Sequence, residues 1–367
     1  MKNKIINYFK TETVLCISAI LAVISMFFVP PDAAYIDYID FRTLALLFCL
    51  MSVMVGFTEI GVFSALANSL LEKTKNFRAV SFILIMLCFF TSMFITNDVA
   101  LITFVPFAIE VLKKSQNTEY LIPVIVLQTI AANLGSMLTP MGNPQNLYLY
   151  SLSGMSLWDF MVIVFPYTAI SFVLLTVFNF TVKSKKVEYN TKEITLPIKQ
   201  TIFYILLFLI CVMSVINILN YKLCFVIITL ILLIFNRKAL AKVDYSLLMT
   251  FVFFFVFIGN MGNIDWFKNM LLTLIEGKEV IVSVISSQVM SNVPAAVLLS
   301  GFTTNYNSLI IGVNIGGLGT LIASMASLIS YKFYATHSPE SKGKYIGVFS
   351  LWNIIFLVVL LAIYFIK

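Results

Sequence analysis

The chain has 367 residues, of which 60% are apolar and only 11% are charged, and its mean hydropathy is +0.99. Soluble domains carry about 25% charged residues, so this composition excludes a soluble protein and indicates an all-α polytopic membrane protein. The net charge of +7 is explained by lysines in short cytoplasmic loops and requires no nucleic-acid partner. The five cysteines lie in apolar runs without CxxC spacing, so neither a disulfide framework nor a zinc site is indicated.

Uninterrupted apolar runs of spanning length recur along the chain. The first follows a basic start that resembles a signal peptide, but no cleavage site follows it, so we interpret it as a retained span. The predicted uninterrupted spans are 14–29, 41–57, 159–182, 201–219, 222–235, 245–259 and 345–365.

Four further apolar regions are interrupted by polar residues. Spans 120–150 and 309–334 contain polar and glycine residues and are predicted to be broken helices. Regions 79–112 and 280–302 are each broken near the middle, and we interpret them as re-entrant hairpins, which gives about nine crossings in total. With the N-terminus in the cytoplasm, this layout puts most of the 24 Lys and Arg residues on the cytoplasmic side.

The order of these features is repeated in the two halves of the chain. Asp40 and Asp244 each precede an apolar span, a hairpin follows, and "ANLGSMLTPMGNPQN" (132–146) aligns without gaps with "VNIGGLGTLIASMAS" (313–327). The layout puts Asp40 outside and Asp244 inside, so the sequence predicts an inverted structural repeat, which is typical of secondary transporters. The predicted units are a first repeat (1–182), a cytoplasmic linker with an extra connecting span (183–219) and a second repeat (220–367).

The polar interruptions are candidate binding sites because a broken helix leaves backbone amides and carbonyls without helical partners. In a bilayer such groups survive only where protein or a wet cavity covers them. Carbonyl, hydroxyl and amide oxygens suit a hard cation such as sodium, whereas helix N-termini suit an anion. The candidate residues are Thr96, Asn97, Asp98, Asn133, Thr139, Gly142, Asn143, Pro144, Asn146, Ser291, Asn292, Asn314, Thr320 and Ser324.

Asp98 is the one acidic residue deep in an apolar run. A charged side chain at the bilayer centre costs about 2.5–3.5 kcal/mol on insertion scales. Three roles stay open for Asp98: it carries a coupled proton, it binds a cation, or it caps the following helix, whose dipole favours a negative charge there. No Lys or Arg lies deep in a span, so we expect no buried basic clamp for an anion.

These motifs resemble the ion-transporter superfamily, which includes divalent-anion/sodium symporters, citrate-transporter-like permeases, and the arsenite-permease and NhaD sodium/proton antiporter group. In the symporters, Ser-Asn-Thr motifs at hairpin tips and Gly-Thr-Pro-Pro-Asn-like loops form the sodium and carboxylate sites. The resemblance implies a homodimer and elevator-like alternating access. It puts Thr96-Asn97-Asp98 and Ser291-Asn292-Val293 at the tips and Gly142-Asn143-Pro144-Gln145-Asn146 at the first loop, and it implies sodium ligands among Thr96, Asn97, Asp98, Ser291 and Asn292.

The sequence therefore predicts a transporter of the cytoplasmic membrane for a small anion such as citrate or a dicarboxylate. The predicted coupling ion is sodium or a proton, without a cofactor. Asp98 and Val293 replace the third-position threonines of the symporters, and "SMAS" at 324–327 is closer to the arsenite permeases, so arsenite efflux or sodium/proton antiport is the alternative. A passive channel is less favoured. A membrane-embedded enzyme would need an acid/base or metal cluster, which one histidine and one deep carboxylate do not supply.

Overall fold

The computed structural model describes residues 12–72, 74–186 and 196–366. The N-terminal segment 1–11, whose cytoplasmic location the sequence predicts, lies outside these residues, as does the centre of the predicted linker, 187–195. The described residues form helices, short 3₁₀ turns and loops, with one isolated antiparallel bridge between Asn76 and Lys186.

Every predicted apolar region coincides with one helix or with a pair of helices. The helices are α1 (Thr13–Met26), α2 (Phe41–Glu59), α3 (Val62–Glu72), α4 (Phe77–Thr91), α5 (Asn97–Lys114), α6 (Leu121–Gly135), α7 (Pro144–Ser153), α8 (Leu157–Asn179), α9 (Ile198–Val215), α10 (Tyr221–Phe235), α11 (Arg237–Ala241), α12 (Tyr245–Gly262), α13 (Asp265–Ile275), α14 (Glu279–Met290), α15 (Asn292–Ser300), α16 (Tyr306–Ile315), α17 (Met325–His337) and α18 (Lys342–Ile366).

Long apolar helices confirm the prediction of an all-α, multi-pass membrane protein. Shorter apolar helices, α1 and α10 among them, accompany the long ones. Within the described ranges, six helical stretches are long and apolar enough to cross a bilayer: Phe41–Glu59, Thr118–Leu138, Leu157–Asn179, Ile198–Val215, Tyr245–Gly262 and Pro339–Ile366.

The four interrupted regions are each divided into two helices at the polar cluster. A five-residue gap separates α4 from α5, and two 3₁₀ turns, Ser136–Leu138 and Pro140–Gly142, separate α6 from α7. Ser291 alone separates α14 from α15, with a left-handed φ of 77°, and residues 316–324 separate α16 from α17. Pro144 is the first residue of α7, where its missing N–H group costs no helical hydrogen bond.

Two long helices begin with the same capping interaction. The carboxylate of Asp40 accepts a hydrogen bond from the Thr43 N–H group at 3.0 Å, and that of Asp244 accepts one from Leu247 at 2.9 Å. These caps satisfy amides at the start of α2 and α12 that have no partner within the helix.

Helices α3 and α13 are absent from the sequence prediction. Each has 11 residues, follows one of the capped helices after a short turn, and is too short to cross a bilayer. A search for apolar runs of spanning length therefore passes over both of them.

The helices pack in pairs that cross from one half of the chain to the other. Helix α1 packs on α12, and α10 packs on α2. Helix α17 packs on α5 and α6, and α7 packs on α15 and α16. The centre of this arrangement is α6, whose side chains are almost entirely buried, so the first helix break, which follows it directly, lies in the protein interior.

Candidate substrate and ion site at the helix breaks

Four helices begin at the polar interruptions, and three of these beginnings lack a side-chain cap. Asn143 caps α7, since its Oδ1 accepts from the Asn146 N–H group at 2.9 Å. Thr96, Ser291 and Ser324 precede α5, α15 and α17 without capping them through their side chains. The Asp98 N–H group donates to Asn97 Oδ1 at 3.0 Å and the Asn292 N–H group donates to the Ala323 carbonyl, so only the remaining amides of these N-termini can serve a ligand.

Asn133, near the end of α6, is the centre of one hydrogen-bond cluster. Its Oδ1 accepts from Asn97 Nδ2 at 3.1 Å and from Ser324 Oγ at 3.0 Å. Its Nδ2 donates to Ser327 Oγ at 3.4 Å. Asn133 thus joins the tip of the first hairpin region to the second broken helix.

Asn314, near the end of α16, is the centre of a second cluster. Its Oδ1 accepts from Asn143 Nδ2 at 3.2 Å, and its Nδ2 donates to Asn146 Oδ1 at 2.6 Å. In the gapless alignment of 132–146 with 313–327, Ser324 and Ser327 are the counterparts of Asn143 and Asn146. Asn133 bonds to the two serines, and Asn314 bonds to the two asparagines. Each cluster therefore connects the two halves of the chain.

Two of the three threonines predicted as ligands, Thr139 and Thr320, instead connect each break to the neighbouring hairpin region. The Thr139 hydroxyl donates to the Met93 carbonyl, and the Thr320 hydroxyl lies 3.5 Å from the Gln288 carbonyl. Met93 is four residues before Asn97, and Gln288 is four residues before Asn292. Thr139 is buried, whereas the Thr320 side chain lies on the exposed side of its break.

Gly142 shapes the first break through the absence of a side chain. A Cβ atom at this position would lie 2.1 Å from the Ser136 carbonyl oxygen, so only glycine fits. The chain can then turn back, and Asn146 Nδ2 comes within 3.3–3.5 Å of the carbonyl oxygens of Ser136, Met137 and Thr139.

Asp98 lines a cavity of about 310 Å³ between α5 and α2. Its Oδ1 atom is buried and has no hydrogen-bond partner among the described residues. Thr96 and Pro144 also line this cavity, as do Asp244, Glu59 and Lys242. Asp98 lies in the first turn of α5, where the helix dipole favours a negative charge.

Lys242 modifies the expectation that no basic group accompanies the site. It is the one basic residue among the described residues that line the Asp98 cavity, although it lies between α11 and α12 and not within a span. Its ammonium group is 2.7 Å from a Glu59 carboxylate oxygen, and its side chain is 59% exposed. Lys242 is therefore paired at the cavity wall and is not a buried clamp.

The second hairpin region borders a different cavity. Ser291 lines a space of about 620 Å³ between α1, α12 and α17, and Asp244 and Leu247 line both cavities. The Asn292 N–H group donates to the Ala323 carbonyl at 3.0 Å. Val293 is buried and offers no polar side-chain atom. The two tips are thus linked through the Asn133–Ser324 hydrogen bond and not by a bond between Asn97 and Asn292.

Several residues of this region were not singled out by the sequence. Ser327 could have been found from its alignment with Asn146, but Glu59, Lys242 and Gln288 lie outside every repeated motif. Asp244 was noted only as a marker of the repeat. Among the described residues, no group of three or more His, Cys, Asp or Glu side chains is arranged to hold a metal ion.

Comparisons with known proteins agree with a membrane transporter. The chain is 34% identical over 329 residues to the uncharacterized transporter MJ0456 of Methanocaldococcus jannaschii, covering 88% of this chain and 89% of that protein. It is 29% identical to the inner membrane protein YbiR of Escherichia coli, covering 83% of each chain. A shorter match, 26% identical over 125 residues, is to the putative transporter arsB of Dictyostelium discoideum and covers 33% of this chain and 21% of that protein.

The profile of the citrate transporter family, CitMHS, matches residues 6–307. This range includes the first broken helix, both hairpin regions and the start of α16, but the second helix break and Asn314 lie beyond it. The family and MJ0456 are named as transporters and not as enzymes. The chain belongs to the CitMHS citrate transporter family.

Proposed function

We propose that the protein is a secondary active transporter that moves a small anion across the cytoplasmic membrane. The first candidate substrate is a carboxylate such as citrate or a dicarboxylate, and the coupling ion is sodium or a proton. The observation that carries the proposal is the network of Asn133 and Asn314 across two broken helices, beside the cavity lined by Asp98. Uncapped helix N-termini and an unpartnered carboxylate are groups that bind an anion and a cation, respectively.

An inverted repeat of 1–182 and 220–367, separated by 183–219, is part of the proposal. Its support is the matched packing of the helices: α1 on α12 corresponds to α10 on α2, and α17 on α5 corresponds to α7 on α15. The shared Asp caps, the paired short helices α3 and α13, and the equivalent Asn clusters follow the same correspondence. Regions 79–112 and 280–302 are the re-entrant hairpins of this arrangement.

Alternating access is supported by one asymmetry in the packing. Helix α7 packs on α2, and α15 packs on α12. Under the repeat, the pair α7 and α2 corresponds to α17 and α12, which lie on opposite sides of the Ser291 cavity. The pair α15 and α12 corresponds to α5 and α2, which lie on opposite sides of the Asp98 cavity. In a second state, α17 packs on α12 and α5 packs on α2, while α7 separates from α2 and α15 separates from α12. The two cavities then close, and new ones open at the other membrane face. We assign most of the motion to 79–182 and 280–367, against a scaffold formed mostly by 14–57 and 201–259.

Arsenite efflux or sodium/proton antiport is the second candidate, and the charge of the cavity favours it. Asp98, Asp244 and Glu59 contribute three carboxylates to the lining, and Lys242 is engaged by Glu59. A free polyanion is repelled by such a surface unless cations or protons enter with it. A neutral or cationic substrate experiences no such repulsion.

Flux into liposomes that contain the purified protein tests the proposal. The panel is citrate, succinate, arsenite and sodium itself, with sodium or pH gradients of either direction. We expect gradient-driven uptake of a carboxylate and counterflow against preloaded substrate, which a passive channel does not show. Gradient-driven movement of arsenite or sodium alone would replace the first candidate with the second, and no gradient-dependent flux of any compound would reject both.

Asp98→Asn separates the possible roles of the carboxylate. If Asp98 carries the proton, the variant loses uptake driven by a pH gradient, whereas exchange of unlabelled for labelled substrate continues. If Asp98 binds sodium, the concentration of sodium that gives half-maximal uptake rises. Retention of both properties would show that Asp98 only stabilises the start of α5.

Orientation and oligomeric state complete the proposal. The excess of Lys and Arg in alternate loops supports a cytoplasmic N-terminus. A homodimer follows from the family resemblance. Labelling of single cysteines in intact cells tests the orientation, and light scattering of the protein in detergent tests the dimer. If the cysteine of Asp40→Cys is labelled only after the cells are broken open, the proposed orientation is wrong. A monomeric mass would contradict the homodimer.

A further inference from the structure

The side chain of Gln288, in the last turn of α14, occupies the second helix break. Its Nε2 atom donates to the carbonyl oxygens of Gly316 at 3.0 Å and Leu318 at 2.9 Å, and also to that of Val284 at 3.1 Å. Its Oε1 atom accepts from the Thr320 N–H group at 2.9 Å. One carboxamide therefore satisfies three backbone groups of residues 316–320 that have no helical partner.

Asn146 has the corresponding role in the first break, but from a different position. Its Nδ2 atom approaches the carbonyl oxygens of Ser136, Met137 and Thr139. The alignment pairs Met137 with Leu318, so both carboxamides bond to the same point of the repeated loop. It also pairs Asn146 with Ser327, whose shorter side chain is instead engaged by Asn133. The second half thus lacks the amide at the equivalent position and receives one from α14.

The backbone of the second break is shaped around this carboxamide. Gly319 has a φ of 106°, and a Cβ atom there would lie 2.4 Å from Gln288 Oε1. The left-handed backbone favours glycine at this position, and the absence of a side chain leaves room for the carboxamide. Beyond Gly319, the break leads to Ala323, which accepts from Asn292, and to Ser324, which donates to Asn133.

We propose that Gln288 is a positioning residue for transport. Its carboxamide holds residues 316–324 in the conformation that presents Ser324 to Asn133 and Ala323 to the tip of the second hairpin region. The consequence for transport rests on the proposed function, whereas the consequence for the conformation of the break does not.

Hydrogen exchange on the purified protein in lipid nanodiscs tests the conformational part. In Gln288→Ala, we expect peptides that cover 316–324 to exchange about tenfold faster, because the loss of a hydrogen bond changes an opening equilibrium by up to about this factor. Peptides that cover 136–142 should not change. Adding Ser327→Asn, which recreates the arrangement of the first half, should reverse most of the increase. Gln200→Ala, which changes an exposed glutamine of α9, is the matched control.

Citrate uptake by the same variants tests the positioning role. We expect Gln288→Ala to raise KM about tenfold with a maximal rate per folded protein within about twofold of the unmodified chain, and Ser327→Asn to restore KM. Unchanged exchange in 316–324, or a failure of Ser327→Asn to slow it, overturns the proposal. Faster exchange with an unchanged KM also overturns it, because the side chain would then be only structural. If the unmodified chain moves no citrate, KM is measured with the compound of the panel that it does move, and the exchange experiment decides the conformational part in either case.

Discussion

Replacing Asn133 by alanine would remove a side chain that connects the two halves of the chain through the first cluster. It loses the bonds to Asn97 at 3.1 Å, Ser324 at 3.0 Å and Ser327 at 3.4 Å. A side-chain hydrogen bond within a membrane protein contributes about 0.6 kcal/mol on average and about 1.7 kcal/mol at most. Three bonds of average strength correspond to about 2 kcal/mol, so we expect the free energy of unfolding to fall by about this amount.

The measurement is the unfolding of the purified protein by SDS in mixed micelles, arranged as a double-mutant cycle with Ser324→Ala. We expect a coupling energy of about 0.6–1.7 kcal/mol between Asn133 and Ser324, because the two side chains bond directly. Asn353→Ala is the control, since the Asn353 amide bonds only to the Phe349 carbonyl of its own helix. Additivity within about 0.3 kcal/mol for Asn133 and Ser324 would refute the existence of the bond in the folded protein.

Three further outcomes follow from the geometry of the site. Gly142→Ala should destabilise the protein by at least about 1–3 kcal/mol, because the new Cβ meets a backbone oxygen, whereas Gly347→Ala, which faces open space, should change thermal unfolding little. Met51 on α2 and Ile102 on α5 both line the Asp98 cavity. In a chain without its native cysteines, cysteines introduced at these two positions should form a disulfide faster when an ion gradient drives transport. A rate of disulfide formation that does not depend on the gradient contradicts closure of the cavity. Lys242→Gln should raise the KM for citrate about fivefold without affecting uptake of neutral arsenite, and an unchanged KM for citrate would exclude a role for this charge in anion binding.

The positions of most helices along the chain were predictable from the sequence because apolar length and polar interruptions are properties of short segments. Runs such as 41–57 and 245–259 correspond to α2 and α12, and the breaks occur where proline, glycine and asparagine collect. The short helices α3 and α13 were missed because neither is long enough to cross a bilayer. Their existence depends on the packing of one face against neighbouring helices, which a criterion based on length does not detect.

The candidate site was predictable where the two halves share a motif. Asn133 and Asn314 were paired by the alignment, and each is the centre of one of the two clusters. Val293 was included from its motif position alone, and its apolar side chain contributes no ligand atom. Gln288 was missed because its contacts are with residues about 30 positions away in sequence. Only the fold brings α14 beside the second break.

The crossed packing of the two halves has a consequence for biosynthesis. As the chain emerges from the ribosome, α1 and α2 enter the membrane long before α12 and α10, on which they pack. Asn133 likewise enters the membrane long before its hydrogen-bond partner Ser324, which lies nearly 200 residues later in the chain. The first half therefore enters the bilayer before these partners in the second half have been made. Final assembly is then a late step, and an isolated first half would depend on added second half to reach its folded state.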